Sequence, residues 1–314
     1  MIAVTIGGGT KYAALARLAA ASCRKHTGLP VRILGATALR RQGVRKPHHL
    51  KFRLFEECPD ADTLLYFDAD MVFLKDASFR EYADRPEFVC CRDLAGADHI
   101  RDDAAFIGIP PADYFNSGLF ILNRAHHNGM LKAAEELADP LERRLHEQTA
   151  FNAARARLGV PLLFLGREFN FLEFEQLETD EPVVVGHVIG IATRPAETIE
   201  RYYRYWSREG FAETETVRGC RQRIVNGRYE YRRVGHDSRA MTFAQDGRIG
   251  EGAAGCERRW ELSEDRGGLT LWIAGGRQPI CGLTQDADGV WKGRWMRHEQ
   301  MPIELRPVGG AAGA

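Results

Sequence analysis

The chain has 314 residues, of which 44% are hydrophobic and 27% charged, a composition typical of globular proteins with one large domain or a large and a small one. Its 43 basic residues equal its 43 acidic residues, so no overall field favours nucleic acid or an anionic membrane. The seven cysteines form no Cys-x-x-Cys pair, which argues against a disulfide framework or a structural zinc site and predicts reduced thiols in a cytoplasmic protein.

The first 220 residues alternate short apolar runs with helical patterns, which predicts an α/β fold with a mostly parallel sheet flanked by helices. Residues 1–6 are expected to form a strand and not a signal sequence, because no basic segment precedes them. No run approaches the roughly 20 apolar residues of a membrane-spanning helix. The elements expected next are a helix over 12–26, a strand over 31–34, a helix over 50–57, strands over 63–67, 88–91 and 120–122, and helices over 130–137 and 146–157.

The pattern changes near residue 224, where short alternating strands are separated by turn residues at intervals of roughly 8–12 positions. This change predicts a large domain over 1–220 and a small antiparallel β domain over 221–308, with a helical connector over 201–223 and a disordered tail over 309–314. Tryptophans of the β domain either stack on sugar rings or, as is commoner, form its core. They are Trp260, Trp272, Trp291 and Trp295.

The motif Asp-Ala-Asp occurs three times in different contexts. At residues 60–62 and 286–288 it is flanked by turn residues, so we expect it in loops there. Only Asp68 and Asp70 lie within an apolar run, residues 64–74, where unpaired carboxylates are costly. Residues two apart share one face of a strand, so this pair can converge on Mg²⁺ or Mn²⁺, which bind oxygen ligands and bridge to phosphates. The alternative interpretation is a buried salt bridge or a turn.

Further motifs accompany this pair in a definite order. They are Thr5 to Tyr12, Lys51-Phe-Arg-Leu, Phe115-Asn-Ser-Gly-Leu-Phe-Ile-Leu-Asn123, Glu147-Gln-Thr-Ala-Phe-Asn152, Phe169-Asn170 and Gly186-His-Val-Ile-Gly190. Together with Tyr-Phe-Asp-Ala-Asp-Met-Val at 66–72, this set resembles glycosyltransferase family 8, the glycogenin-like and bacterial galactosyltransferase-like group, over residues 3–200. The chain departs from the family at Glu147, where aspartate is usual. It also departs after residue 190, where its basic residue, Arg194, comes one position later and a tryptophan is absent.

The resemblance implies a GT-A type fold that holds Mn²⁺ or Mg²⁺ and a nucleotide-sugar, with a UDP-sugar expected. Asp68, Asp70 and His187 would bind the metal, and a nitrogen ligand fits Mn²⁺ somewhat better than Mg²⁺. Tyr12 would stack on the base, and Lys51 and Arg194 would face the diphosphate. The residues expected to contact the donor are Thr5, Gly7, Tyr12, Lys51, Asp68, Ser117, Gly190 and Arg194.

Candidate catalytic residues are Glu147 and Gln148, which would lie near the anomeric carbon, and Asn116, which would line the sugar pocket with Ser117. Each of these roles has a structural alternative. Lys51 could lie on a solvated helix face, and Glu147 could be a charge favoured at a helix N-terminus. The Asn116-Ser117-Gly118 segment could be a turn between a helix and a strand.

The function predicted from this pattern is transfer of a hexose from a nucleotide-sugar to an acceptor, with retention of anomeric configuration as the resemblance implies. The acceptor is expected to be a glycan, a lipid-linked sugar or a small molecule, and neither a nucleic-acid partner nor a transmembrane segment is expected. Two alternatives stay open: a pyrophosphorylase-like nucleotidyltransferase that makes a nucleotide-sugar, and a sugar-binding protein without catalysis.

Overall fold

The computed structural model describes residues 1–138, 147–172, 183–189, 197–208, 210–265, 267–275, 278–296 and 301–309. The chain divides into two compact units. The first unit comprises Met1–Leu172 and Glu181–Ala192, and the second comprises Glu173–Asp180 and Thr193–Ala314. This division falls earlier in the chain than the domain boundary predicted at residue 220. Most of the tail predicted over 309–314 lies outside the described residues.

The first unit contains nine described strands and six described α-helices. The strands are β1 (Ile2–Ile6), β2 (Val31–Leu34), β3 (Thr63–Phe67), β4 (Met71–Phe73), β5 (Phe88–Arg92), β6 (Phe115–Asn123), β7 (Leu162–Leu165), β8 (Phe171–Leu172) and β9 (Val185–His187). The helices are α1 (Gly9–Thr27), α2 (Ala36–Gln42), α3 (Leu54–Glu57), α4 (Asp98–Phe106), α5 (Arg124–Ala138) and α6 (Glu147–Leu158).

The main sheet has the strand order β2-β1-β3-β6-β5-β7. Strand β6 is antiparallel to both of its neighbours, and the other pairs are parallel. Leu64 and Tyr66 of β3 belong to one hydrophobic core, and Leu65 and Phe67 belong to another. Both faces of β3 are therefore buried, which explains why the strand reads as a continuous apolar run. The predicted α/β class with a mostly parallel sheet is confirmed.

A second sheet of three short strands, in the order β4-β9-β8, belongs to the same unit. Its central strand β9 is antiparallel to β4, with Met71 opposite His187, and parallel to β8, with Leu172 opposite His187. The chain thus turns directly from the buried strand β3 into β4 through the segment that carries Asp68 and Asp70.

Two expected elements differ from the structure. The helix predicted over 50–57 is a 3₁₀ helix, Pro47–Arg53, followed by the single turn α3. Three successive residues of the 3₁₀ helix, 50–52, are buried, which a single stripe along an α-helix does not achieve. The turn interpretation of Asn116-Ser117-Gly118 is wrong, because these residues belong to β6, where Asn116 lies opposite Cys91 of β5.

The second unit contains two described α-helices and a seven-stranded antiparallel sheet. The helices are α7 (Glu197–Ser207) and α8 (Glu215–Val225), where a single connector was predicted. The strands are β10 (Tyr229–Arg233), β11 (Asp237–Met241), β12 (Arg259–Asp265), β13 (Gly268–Gly275), β14 (Gln278–Gln285), β15 (Trp291–Trp295) and β16 (Pro302–Pro307). They are ordered β11-β10-β16-β15-β14-β13-β12, so the predicted separate antiparallel sheet is confirmed.

Local features of the second unit follow from its sequence. The turn between β14 and β15 places Gly289 at φ +78°, and the carboxylate of Asp286 accepts the backbone N–H groups of Asp288 and Val290. The Asp-Ala-Asp at 286–288 is thus a turn, as predicted. Trp260, Trp272 and Trp291 are at most 1% exposed, which favours the core interpretation of the tryptophans over sugar stacking.

All seven cysteines are free thiols, and six of them are buried, as predicted for reduced cysteines. Among the described residues, no helix has the length and apolarity needed to cross a membrane.

Candidate metal centre

Three potential ligands meet where the two sheets of the first unit join. Asp68 follows the end of β3, Asp70 precedes β4, and His187 ends β9. One side-chain ligand atom from each of the three residues lies within 4.8 Å of the other two. The structure therefore brings together the three residues expected to bind a metal, although 117 positions separate Asp70 from His187 along the chain.

The other two Asp-Ala-Asp motifs lie at exposed positions. The side chain of Asp62 is 95% exposed, and Asp60 pairs with Arg32 at 3.0 Å between Nη2 and Oδ2. Asp286 pairs with Lys292 at 2.8 Å between Oδ2 and Nζ. The apolar context of residues 64–74 therefore distinguished the motif whose carboxylates approach a histidine from the two motifs in loops.

His187 is held from several sides. Its Nδ1 lies 2.8 Å from Oδ1 of Asn170, and its Nε2 lies 3.3 Å from Oδ1 of Asp70. Burial alone would lower the pKa of His187, but the Asp70 carboxylate beside it raises the pKa above the usual value. A methyl group on Gly118 would come within 2.8 Å of the imidazole Cε1, so Gly118 permits the close approach of His187.

One carboxylate oxygen of Asp68 contacts two side chains, Tyr66 and Lys51. Its Oδ1 accepts a hydrogen bond from the Tyr66 hydroxyl at 2.5 Å and lies 3.0 Å from Nζ of Lys51. Burial raises the pKa of Asp68 more than Lys51 lowers it. Residues 68–71 also form a turn, in which Met71 donates its N–H to the Asp68 carbonyl. Both features of the alternative interpretation, a salt bridge and a turn, are thus present at Asp68.

Lys51 is buried beneath these carboxylates. Its ammonium donates hydrogen bonds to Oε1 of Glu147 at 2.6 Å and to the Ser117 carbonyl at 3.1 Å, besides the ion pair with Asp68. Although burial would lower the pKa of Lys51, the two carboxylates raise it well above its usual value, so the side chain stays charged. The interpretation of Lys51 as part of a solvated helix face is wrong.

Among the described residues, three carboxylates, of Asp68, Asp70 and Glu147, lie at this centre beside Lys51 and His187. The Lys51 ammonium outweighs burial and lowers the pKa of Glu147, so this carboxylate is ionised. Among the described residues, Lys51 pairs with Asp68 and Glu147, whereas Asp70 pairs with His187. Buried charges need compensation, and a divalent cation at the Asp68, Asp70 and His187 ligand atoms would supply it.

The predicted catalytic residues line a polar strip beside the metal ligands. Glu147 and Gln148 begin α6, and both are buried. The Glu147 carboxylate accepts a hydrogen bond from Oγ of Ser117 at 3.1 Å, and Oε1 of Gln148 accepts the Ser117 backbone N–H at 2.8 Å. Asn116 accepts the Gly118 N–H at 2.9 Å. Glu147 is therefore more than a charge at a helix N-terminus, because its carboxylate is tied into this network.

Asp93 joins this strip and was missed by sequence reasoning. It directly follows β5, and its Oδ2 accepts hydrogen bonds from Nδ2 of Asn116 at 3.1 Å and from Nε2 of Gln148 at 2.7 Å. The available signal was its position after a buried strand, residues 88–91, since polar residues at the carboxyl ends of strands tend to face ligands.

The residues expected near the nucleotide base differ in how far they are exposed to solvent. Thr5 is fully buried in β1, and its hydroxyl has no hydrogen-bond partner among the described residues. A Cβ on Gly7 would lie 3.1 Å from Cβ of Ala16, so Gly7 permits the close packing of α1 on β1. Tyr12 lies in the first turns of α1 and is 37% exposed. Burial raises the pKa of Tyr12 most, and the carboxylates of Asp70 and Asp68 raise it further.

Two predicted donor contacts lie outside the described residues. They are Gly190 and Arg194, and their roles stay predictions.

Comparison with known proteins gives similarity at the level of structure. No family model and no curated protein matches the chain. A galactosyltransferase, LgtC, in complex with donor and acceptor sugar analogues is 18% identical, with a TM-score of 0.49 over 70% of this chain and 99% of LgtC. A glycosyltransferase involved in glycosylation of the major capsid of PBCV-1 is 14% identical, with a TM-score of 0.46 over 65% of this chain and 99% of that one. The bifunctional glycosyltransferase WbbM is 11% identical, with a TM-score of 0.45 over 60% of this chain and 46% of WbbM.

These similar structures are all glycosyltransferases, the class that the sequence motifs resemble. The three TM-scores are all below 0.5. A function therefore has to be inferred from the geometry of the site.

Proposed function

We propose that this chain is a metal-dependent glycosyltransferase that transfers a hexose from a nucleotide-sugar, a UDP-sugar, to an acceptor with retention of configuration. The observation that carries the proposal is the convergence of Asp68, Asp70 and His187, with one ligand atom from each within 4.8 Å of the others. The two carboxylates paired with Lys51 and the adjoining strip of amide, hydroxyl and carboxylate groups support the same activity.

The donor set fits Mn²⁺ or Mg²⁺. Two carboxylates and one imidazole nitrogen are suitable ligands for a divalent ion of this class, and the nitrogen favours Mn²⁺. The carboxylates of Asp68 and Asp70 are partly exposed, whereas His187 is buried and held by Asn170. When bound, the ion would stabilise negative charge on a departing nucleoside diphosphate.

The surrounding side chains have distinct tasks in this proposal. The Glu147 carboxylate, kept ionised by Lys51, would stabilise positive charge that develops on the anomeric carbon. Asn116, Gln148 and Asp93 form a connected set of donors and acceptors that would bind and orient the hydroxyls of the sugar. Tyr12, partly exposed near the carboxylates, would stack on the base. The acceptor in this proposal is a glycan, a lipid-linked sugar or a small molecule.

Titration calorimetry with UDP, with and without Mn²⁺, tests the metal centre. We expect UDP to bind the wild type tightly only when Mn²⁺ is present, and Asp70→Ala to abolish this binding. Asp62→Ala is the matched control, because it changes the same position of an exposed Asp-Ala-Asp motif and should bind as the wild type does. UDP binding that is equal without metal and in Asp70→Ala would contradict the proposal.

Turnover assays separate the proposed activity from its alternatives. With UDP-glucose or UDP-galactose and Mn²⁺, a transferase should slowly hydrolyse the donor to UDP and free sugar when no acceptor is present. A nucleotidyltransferase would instead release pyrophosphate from a nucleoside triphosphate and a sugar 1-phosphate, and a binding protein would catalyse neither reaction. Once an acceptor is found, the anomeric proton of the product reports by NMR whether configuration is retained.

A further inference from the structure

Asn170 occupies a position from which it can control the metal-binding histidine. Strand β9, which ends in His187, lies between β4 and β8. Asp70 immediately precedes β4, and Asn170 immediately precedes β8. The two flanking strands therefore place one polar side chain on each side of the imidazole.

The atoms that face each other restrict the proton positions of His187. Oδ1 of Asn170 is a carbonyl oxygen and only accepts hydrogen bonds, so at 2.8 Å the Nδ1 of His187 must be the donor. A neutral imidazole carries one N–H, and when that proton is on Nδ1 the lone pair is on Nε2. Nε2 is the ring nitrogen that faces Asp70, at 3.3 Å from its Oδ1.

Packing prevents the ring from avoiding this contact. The Cα of Gly118 lies so near that an added Cβ would fall 2.8 Å from Cε1 and 3.2 Å from Nδ1 of His187. Both His187 and Asn170 are buried, at 5% exposure each. A ring flip would replace the Nδ1–Asn170 hydrogen bond with a carbon atom facing the buried amide oxygen, which costs a hydrogen bond without solvent compensation.

We propose that Asn170 is a positioning residue that holds His187 in the Nδ1–H tautomer and so presents the lone pair of Nε2 to the metal ion. This inference rests on the proposed function for the presence of the ion. Outer hydrogen-bond partners of metal-binding histidines fix the tautomer and ring orientation in this way. Asn170 does not bind the ion in this proposal, and it acts through the imidazole alone.

The test measures Mn²⁺ affinity by electron paramagnetic resonance in the absence of nucleotide and sugar. Asn170→Leu keeps a similar volume but removes the acceptor, and we expect a loss of affinity of about 10–100-fold. Asn170→Asp restores an acceptor for Nδ1–H and should recover most of the affinity. The control is Asn123→Leu, the same substitution at the last residue of β6. Among the described residues, the Asn123 side chain hydrogen-bonds only to backbone groups, so this change should leave Mn²⁺ affinity unchanged.

A second readout needs no metal. Long-range ¹H–¹⁵N NMR of ¹⁵N-histidine-labelled protein at alkaline pH distinguishes Nδ1–H from Nε2–H, and His187→Gln assigns the resonance. The measurement is made in the Asp70→Ala background, where no carboxylate at that position favours a proton on Nε2. There we expect Nδ1–H with Asn170 or Asn170→Asp, and a mixture of tautomers with Asn170→Leu.

The outcomes separate this inference from the proposed function. If the wild type binds Mn²⁺ and Asn170→Leu binds it equally well, or if His187 of Asp70→Ala is protonated at Nε2, the role of Asn170 is overturned while the metal centre stands. If the wild type does not bind Mn²⁺, the proposed function and this inference are both overturned.

Discussion

Single residues at the centre show how charge is distributed. Lys51 contacts both Asp68 and Glu147 and is itself buried. The sequence resemblance assigns Lys51 to the donor diphosphate, and that role stays a prediction. In the structure its ammonium contacts the carboxylates of Asp68 and Glu147 and the Ser117 carbonyl, so it holds these groups in place and lowers the pKa of Glu147.

Lys51→Met should strongly destabilise the first unit. Removing one partner of a buried ion pair leaves an uncompensated charge and costs about 3–5 kcal/mol. Lys75→Met, at an exposed position, should change the free energy of unfolding by less than about 0.5 kcal/mol. Urea denaturation measures both variants. The double variant Lys51→Met/Glu147→Gln should recover part of the loss, and a cost below about 1 kcal/mol for Lys51→Met alone would argue against a buried pair.

Gly118→Ala should displace the metal-binding histidine. Its Cβ would lie 2.8 Å from both Cε1 of His187 and Oδ1 of Asn116, and overpacking of this kind costs about 1–3 kcal/mol. We expect weaker Mn²⁺ binding in calorimetry together with a lower unfolding temperature. Gly129→Ala, within α5 and with no atom within 4 Å of the added Cβ, should instead stabilise the protein by about 0.5–1 kcal/mol. Unchanged Mn²⁺ affinity in Gly118→Ala would mean that the imidazole position tolerates the methyl group.

At the level of elements, the direction of each strand decides which residues reach the site. Asp68 and Asp93 follow the carboxyl ends of β3 and β5. Because β6 is antiparallel to both strands, its amino end lies at the same edge of the sheet, and this end carries Asn116-Ser117-Gly118. Asn116-Ser117-Gly118 therefore reaches the site from the start of β6, whereas Asp68 and Asp93 reach it from the ends of β3 and β5.

Helix α8 of the second unit depends on a single capping residue. The Thr214 hydroxyl accepts the backbone N–H of Val217 at 3.1 Å and donates to Oε2 of Glu264 at 2.6 Å. Thr214→Ala should lower the free energy of unfolding by about 1 kcal/mol, measured by urea denaturation, and Thr214→Ser should restore most of it. Thr216→Ala, an exposed position inside the same helix, should be neutral or slightly stabilising because alanine has the higher helix propensity. Equal effects of Thr214→Ala and Thr216→Ala would exclude the cap as the cause.

At the level of the whole molecule, each unit has a hydrophobic core of its own. One core of the first unit includes Leu64 and Phe120, and the core of the second includes Trp260 and Leu305. All five tryptophans of the chain belong to the second unit, whereas Asp68, Asp70 and His187 belong to the first. Tryptophan fluorescence therefore reports on one unit only.

UDP with Mn²⁺ should stabilise only the unit that binds it. At about 100 times the dissociation constant, a ligand adds about 2.7 kcal/mol to the free energy of unfolding. In far-UV circular dichroism, which reports on both units, we expect the part of the signal that comes from the first unit to unfold at a higher temperature. The midpoint temperature of the tryptophan-fluorescence transition should not change. Asp70→Ala, which should not bind UDP, is the control and should show no shift with either probe. A wild-type fluorescence transition that moves with the ligand would contradict independent unfolding of the units.

The amino-acid sequence determined the classes of element and indicated the candidate metal ligands. Apolar runs such as residues 63–67 predicted buried strands, and the change of pattern near residue 224 predicted a separate antiparallel sheet. Asp68 and Asp70 were identified by their apolar context, because a carboxylate within an apolar run is costly unless it has a partner. His187 and the polar strip apart from Asp93 were identified by the resemblance of ordered motifs, which periodicity alone does not provide.

Only the tertiary structure decided how distant groups combine. Lys51 reaches Glu147 across 96 positions of sequence, and the reversal of β6 brings Asn116 beside Asp93. The contact of Asn170 with His187 required two short strands, β8 and β9, that no alternating pattern signals. Periodicity reports which residues of one segment are buried, whereas the partner of a buried charge depends on chain closure and strand order. The candidate residues could therefore be found in the sequence, but their convergence and their charged partners could be seen only in the fold.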